Sequence, residues 1–469
     1  MILCTSACTV SLAPAYRITK ESHEIQFVSG QTPGLKVLAS YTLDNYGTGD
    51  LAGINVQLPN KERYGVTTLL IKVNGSEITP QLSGETQSEE SSTFRIPFDP
   101  AWSPKQRREI TIEYAFSPTE GSDPQIALAA TSFHLVSGAW FPSLQPPNHV
   151  LSSSPASPLR IAYSVRIPAD FLLLAPGKQS GRKKNGGEVE HRFELRKNDP
   201  APYVVAGRYV DSSPKRSQNG VVFWTAEALK EDIAPVEEQI ASALSILEKT
   251  FGSPEKSSFV PHLVESVSLR ATGENEPSAI PFPGGALVNS QAIALGIDSA
   301  NFAKLVLLAL AHNWFGGYPS ASSVIGVSEG LPEYALVVID EARHGQTARQ
   351  GGVTGFLQEY DNACKEAVEK PLVSVTMRDP IEQRRIALAK APLFFIALED
   401  AYGQESVRRG LAQVVSILHG QEVGYQDIRA ALENVANKDL APIFRTWLYK
   451  PGIPAEFREK YQSAAAGRN

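Results

Sequence analysis

Two side chains with metal-binding and acid–base chemistry lie in the stretch LVLLALAHNWFGGYPSASSVIGVSEGLPEY, residues 305–334. His312 falls near the end of an apolar run that predicts a buried helix, and Glu329 stands at the head of the next predicted helix. An imidazole and a carboxylate can ligate a metal ion or transfer a proton. A histidine on an apolar helix is more often a hydrogen-bonded core residue, so both interpretations stay open here.

The chain before this stretch predicts β structure. Short runs with apolar residues at every second position, separated by turn residues, are typical of strands with one buried face. The runs are 24–28, 34–43, 53–59, 67–73, 92–98, 108–116, 159–168, 188–196 and 202–210. Together they predict an N-terminal antiparallel β-sandwich over residues 16–210. Lys183 and Lys184 are expected at a solvated hairpin tip, in a turn over 181–187.

The polar segment 211–220 predicts a linker, and the second domain is expected over 221–469. A strand at 221–226 precedes a helix at 229–251, in which apolar residues recur at helical spacing: Val236, Ile240, Ala243, Leu244 and Leu247. Strands are predicted at 261–270 and 284–293, and helices at 327–343, 352–369, 383–402, 404–418, 425–436 and 439–449. This order predicts an α+β domain with a mostly helical C-terminal part. Four arginines are expected on solvated helix faces: Arg384, Arg385, Arg408 and Arg409.

Composition excludes several classes of protein. The chain has 469 residues, 42% of them hydrophobic and 20% charged, with a net charge of −6, which is typical of a multidomain globular protein. No basic run predicts nucleic-acid binding, and no apolar run is long enough for a transmembrane helix. Only Cys364 lies in the body of the chain, besides Cys4 and Cys8, so a disulfide framework is not expected.

The first fifteen residues, MILCTSACTVSLAPA, resemble the apolar region and cleavage site of an export signal, but the positively charged start is missing. They are either a remnant of such a signal or an unstructured N-terminus. Of these alternatives the first is favoured, so a secreted or periplasmic location is expected over a cytoplasmic one.

The motif AHNWFGG at 311–317, followed by SEG at 328–330, resembles the gluzincin zinc aminopeptidases of the membrane alanyl aminopeptidase type. Their pattern is H-E-x-x-H-x-W-F-G and then N-E-G. Two histidines one helical turn apart bind zinc together with the later glutamate, and a water occupies the fourth position. The glutamate after the first histidine activates that water. The resemblance makes His312 the second histidine ligand and Glu329 the glutamate ligand.

Other parts of the site that this resemblance implies are missing. The first histidine of the pattern falls at Leu308 and the general base at Ala309. The loop between His312 and Glu329 holds sixteen residues, which is shorter than in the family. A later helix of the family carries a catalytic tyrosine before Lys-Gly, and Leu388 occupies that place within ALAKAPLFFIALEDAYG, 387–403.

The resemblance covers most of the chain. The β block corresponds to the family's N-terminal domain, and 221–454 to its thermolysin-like catalytic domain, which ends in a segment similar to DLAPIFRTWLYKPGIP, 439–454. PGGALVNS, 283–290, is expected to form the edge strand that lines a substrate cleft, with Gly284, Gly285 and Ala286 in that cleft.

The sequence therefore predicts an aminopeptidase-like pseudopeptidase with His312 and Glu329 as a vestigial metal site. No resident cofactor is expected, and zinc would need a replacement ligand, for which His262, His344 and Glu333 are the candidates. The retained cleft is expected to bind a peptide or a partner protein. Two alternatives stay open: an active zinc peptidase with a rearranged site, and a structural scaffold.

Overall fold

The structure is a computed structural model. It describes residues 16–30, 32–82, 91–118, 123–145, 160–196, 199, 202–213, 220–228, 233–254, 260–266, 279–294, 300–315, 324–376, 379–417 and 423–466. The N-terminal segment 1–15, most of the predicted linker, and residues 316–323 between His312 and Glu329 lie outside these ranges. The chain divides into two compact units, Met1–Arg208 and Tyr209–Asn469.

The first unit is built of β-strands. They are β1 (Tyr16–Val28), β2 (Gly34–Asn45), β3 (Leu51–Pro59), β4 (Thr68–Val73), β5 (Ser76–Ile78), β6 (Gln81–Leu82), β7 (Ser91–Trp102), β8 (Arg107–Phe116), β9 (Ile126–Leu128), β10 (Ser132–Leu135), β11 (Ser143–Gln145), β12 (Arg160–Pro168), β13 (Leu172–Leu174), β14 (Lys178–Asn185), β15 (Glu188–Arg196) and β16 (Val204–Gly207), with a short helix, α1 (Lys61–Tyr64).

These strands form one large and two smaller sheets around an apolar core. The large sheet has the order β14-β15-β12-β1-β2-β8-β4-β5, and the others have the orders β13-β16-β10-β9 and β11-β3-β7-β6. The alternation read from the sequence is what buries one face. On β2, for example, Leu35, Val37, Ala39, Tyr41 and Leu43 are all buried, while the residues between them are more exposed.

Two expectations for this unit are wrong in detail. The sandwich is not wholly antiparallel, because β1 and β12 pair in parallel at the centre of the large sheet. Lys183 and Lys184 lie on strand β14, not in a turn, and pair with Glu190 and Val189 of β15. β14 was missed because almost every residue in it is exposed, so it shows no alternation of apolar and polar residues.

The second unit begins with a small sheet and continues as helices. Its strands are β17 (Val210–Asp211), β18 (Val222–Thr225), β19 (His262–Ser266), β20 (Ala279–Phe282) and β21 (Gly285–Asn289). Its helices are α2 (Ala234–Phe251), α3 (Ser290–Ala294), α4 (Ala300–Phe315), α5 (Ile325–Ser328), α6 (Gly330–His344), α7 (Gln346–Ala363), α8 (Ile381–Tyr402), α9 (Gln404–Ile417), α10 (Tyr425–Ala436), α11 (Ala441–Tyr449) and α12 (Ala455–Ala466).

The fold class read from the sequence is confirmed: β-sheets come first, and an α+β part with a mostly helical C-terminal portion follows. The sheet of the second unit has the order β17-β18-β19-β21-β20. The apolar residues predicted for α2, from Val236 to Leu247, are buried against the core of this unit. Among the helices described here, none is long and apolar enough to cross a membrane.

A buried ionic network joins four helices of the second unit. Arg349 on α7 contacts Glu399 on α8 and Glu341 on α6, and Arg408 on α9 donates to both carboxylates. The hydroxyl of Tyr334 on α6 donates to Glu399 at 2.6 Å. The expectation that Arg408 is solvated is therefore wrong. Arg409, its neighbour, is exposed as expected.

His134 in the first unit gives a pH-dependent prediction. Its buried ring contacts the Pro124 carbonyl at 3.0 Å, and burial lowers its pKa from 6.5 to about 4. The unfolded chain therefore binds a proton between these values that the folded chain does not, and stability falls as pH drops from about 6.5 to about 4. This single group would contribute on the order of 3 kcal/mol to that loss.

His134→Gln, which keeps a donor for the Pro124 carbonyl but does not titrate, is expected to flatten this part of the pH dependence. Urea unfolding of both proteins at pH 7 and pH 4.5 measures the difference. Equal losses of unfolding free energy in the two proteins would contradict the assignment.

Candidate metal-type site at the ends of α4 and α6

His312 forms a direct hydrogen bond with Glu329. Near the end of α4, the Nδ1 atom of His312 lies 2.9 Å from the carbonyl oxygen of Leu308, one turn earlier in the same helix. Its Nε2 atom lies 3.0 Å from Oε2 of Glu329. A carbonyl can only accept, so Nδ1 carries a proton and donates to Leu308. A second proton on Nε2 lets the ring donate to the carboxylate as well.

The surroundings favour the charged forms of this pair. Burial alone lowers the pKa of His312, but the hydrogen bond and the negative charge of Glu329 outweigh it, and the net pKa lies above 6.5. Burial alone raises the pKa of Glu329, but the bond and charge of His312 hold it below 4.5. Each charge therefore offsets the desolvation cost of the other, so the pair needs no further charged partner.

Glu329 is held in place by a close approach of backbone segments. It lies between the single-turn helix α5 and the start of α6. A Cβ atom on Gly330 would lie 2.4 Å from Cβ of Ala391 on α8, and one on Gly326 would lie 3.3 Å from the same atom. Only glycine permits this spacing, so the two glycines bring the Glu329 segment directly against α8.

The three residues that the resemblance places at the first histidine, the general base and the tyrosine have apolar side chains. Leu308 and Leu388 are partly buried and pack against the apolar core of the second unit, and Ala309 is buried in it. In the part of the chain that the structure describes, no three His, Cys, Asp or Glu side chains are arranged to hold a metal ion.

The described residues of this site do not fit a catalytic zinc ion, which takes three protein ligands. His312 and Glu329 supply two, and the position one turn before His312 is a hydrocarbon. Of the replacement candidates, His262 lies on β19 with its ring against Trp224, and His344 is exposed at the end of α6. Glu333 lies one turn after Glu329, and burial raises its pKa above the usual value for a glutamate.

The edge strand of the sheet is β20, not the segment predicted from the sequence. β21 pairs with β19 on one side and β20 on the other, so the backbone around Gly285 and Ala286 lies inside the sheet. The expectation that 283–290 is the edge is wrong. The dipeptide Pro283-Gly284, a turn signal, marks the hairpin between β20 and β21 and was the available clue. Gly284 lies in that turn.

Comparison with solved structures identifies the architecture. An M1 zinc metallopeptidase variant from Deinococcus radiodurans, bound to its substrate Tyr-Ser-Ala, matches 94% of this chain and 95% of its own, with a TM-score of 0.62 and 15% identity. Yeast LTA4 hydrolase matches 94% of this chain over 69% of its own, with a TM-score of 0.64 and 13% identity. The chain has the fold of the M1 zinc metallopeptidases. No family model matches the sequence.

Sequence comparison points the same way at low identity. The probable aminopeptidase 1 of Saccharolobus solfataricus is 21% identical over 322 residues, which are 66% of this chain. This chain spans 40% of the length of that relative. These similarities show an aminopeptidase-like fold, and they do not show whether the chain is active.

The close approach of α6 to α8 gives a stability prediction. Gly330→Ala is expected to destabilise the second unit by about 1–3 kcal/mol, because the new methyl group overlaps Ala391. The matched control is Gly351→Ala on α7, where a Cβ atom meets nothing within 4 Å. That change is expected to stabilise by about 0.5–1 kcal/mol through helix propensity. Denaturant unfolding measures both, and equal effects would contradict the packing described.

Proposed function

We propose that this protein is a catalytically inactive relative of the M1 zinc aminopeptidases that binds peptides along the edge strand β20, beside α4. The observation that carries the proposal is the 3.0 Å hydrogen bond between Nε2 of His312 and Oε2 of Glu329. A zinc peptidase presents these atoms to the metal. Here they bind each other, and Leu308 fills the position from which a third ligand would come.

The loss extends to the groups that perform the reaction. Hydrolysis needs a base to take a proton from the attacking water, and the side chain of Ala309 is a buried methyl group. The absence of a positioned base alone typically costs ~10²–10⁴ in rate. Leu388 offers no hydroxyl to stabilise a developing oxyanion. Apolar residues thus stand at the positions of the ligand, the base and the oxyanion donor. Three such replacements support a complete loss of hydrolysis, not merely a slower reaction.

Peptide binding is supported by the edge strand β20 of the second unit. β20 forms one end of the sheet, with Ala279, Ile280 and Pro281 only partly buried, and α4 packs beside it. An extended peptide can add to such an edge through main-chain hydrogen bonds, which need no metal. The Deinococcus protein of the same fold binds the peptide Tyr-Ser-Ala.

Glu333 supports a second candidate, a metal-dependent hydrolase with a rearranged site. Its carboxyl group acts electrostatically on both His312 and Glu329, and a small side-chain movement could offer it to a metal. Burial of Glu333, which raises its pKa, disfavours the charged carboxylate that a metal ion binds.

Zinc binding separates these candidates. The wild-type protein, incubated with zinc and freed of excess by gel filtration, is expected to retain far less than stoichiometric zinc by mass spectrometry. Leu308→His with Ala309→Glu is expected to retain close to one zinc ion per chain, because residues 308 and 312 share a helix face. Leu308→His with Ala309→Gln is the matched control: it should bind zinc but lack the base.

Stoichiometric zinc in the wild type, together with hydrolysis of aminoacyl-arylamides, would contradict the proposal and favour the rearranged site. The peptide-binding part is tested by calorimetry with Tyr-Ser-Ala in the presence of a chelator, where binding is expected. Absence of binding there would favour a scaffold.

A further inference from the structure

The turn between β20 and β21 contains a backbone amide, that of Gly284, which forms a hydrogen bond outside the hairpin. Pro283 and Gly284 connect the paired residues Phe282 and Gly285, and Gly284 has φ +87°. Proline followed by a glycine at positive φ is typical of a type II turn. In such a turn the amide N–H of the glycine points away from the hairpin, and it needs a partner from elsewhere in the fold.

Asn313, the residue after His312, supplies that partner. Its Oδ1 atom accepts from the amide of Gly284 at 2.9 Å, and its Nδ2 atom donates to the carbonyl of Leu310 at 3.1 Å. Because one contact requires an acceptor and the other a donor, the orientation of the amide is fixed. The carbonyl of Gly284 accepts from the amide of His262 at 2.9 Å, which joins the turn to β19.

The edge strand β20 packs beside α4 and has a neighbouring strand on one side. Among the described strands, β20 pairs only with β21, and Pro281 within β20 has no amide hydrogen to donate. Gly285 cannot move towards β19, because a Cβ atom on it would already lie 2.1 Å from the carbonyl oxygen of His262. The side chain of Asn313 adds a directed hydrogen bond between this hairpin and α4.

We propose that Asn313 is a positioning residue that fixes the edge strand β20 relative to the end of α4. Two successive residues of α4 then bond to two different segments of the second unit. His312 is bonded to Glu329 beside α6, and Asn313 is bonded to the β20–β21 turn. The consequence for peptide affinity rests on the proposed function, whereas the restraint on β20 does not.

Hydrogen–deuterium exchange tests the restraint. Asn313→Leu is expected to speed amide exchange at 279–285 by about tenfold, because it removes the acceptor for Gly284. Asn313→Asp keeps an acceptor at the same place and is expected to retain most of the protection. Asn301→Leu, the same substitution at an exposed position of α4, is the control and should leave exchange in the hairpin unchanged.

Calorimetry with Tyr-Ser-Ala then tests the consequence. Asn313→Leu is expected to weaken binding about tenfold, and Asn313→Asp to restore most of the affinity. If the wild type does not bind this peptide but Asn313→Leu still loses protection, the proposed function fails and the positioning role stands. Unchanged protection in Asn313→Leu, or equal damage from Leu and Asp, would overturn the inference.

Discussion

The hydrogen bond between His312 and Glu329 is the contact on which the site depends. It joins α4 to the start of α6, and the side chains of His312 and Glu329 are 13% and 34% exposed. Such a pair is stable only if each charge is compensated, and here the carboxylate faces Nε2 while the Leu308 carbonyl accepts from Nδ1. In a zinc site the same orientation of the ring would present Nε2 to the metal. A proton shared with Glu329 meets the same electrostatic need without a third ligand.

The fold of the second unit is stabilised by contacts that need no metal ion. The core of the second unit is apolar, and Leu308 and Ala309 add to it. The buried network around Arg349 joins helices α6 to α9, and α6 packs closely against α8 at Gly330. None of these contacts uses a metal ligand. A leucine beside an apolar core avoids the cost of burying a polar ligand there, so the inactivity that we propose is compatible with a stable fold.

The sequence predicted those elements whose residue pattern depends on near neighbours along the chain, and it missed features that depend on distant segments. Alternation along β2 and the 3.6-residue spacing on α2 depend only on neighbouring residues, and those elements form as expected. The parallel pairing of β1 with β12 is decided by distant segments and leaves no local pattern. β20 was missed because it is short and contains Pro281, and the burial of Arg408 depends on Glu341 and Glu399 from other helices. The meeting of His312 with Glu329 followed from a family resemblance, not from periodicity.

The protonation of the His312 ring is the most direct test of the central claim. Long-range ¹H–¹⁵N spectra of the imidazole, assigned with a His312→Gln variant, report on Nδ1 and Nε2 separately. The account predicts that Nδ1 is protonated and that both nitrogen resonances stay unchanged when zinc is added in excess over protein. A selective shift of the Nε2 resonance at stoichiometric zinc would show that the metal displaces Glu329's hydrogen bond, and would contradict the account.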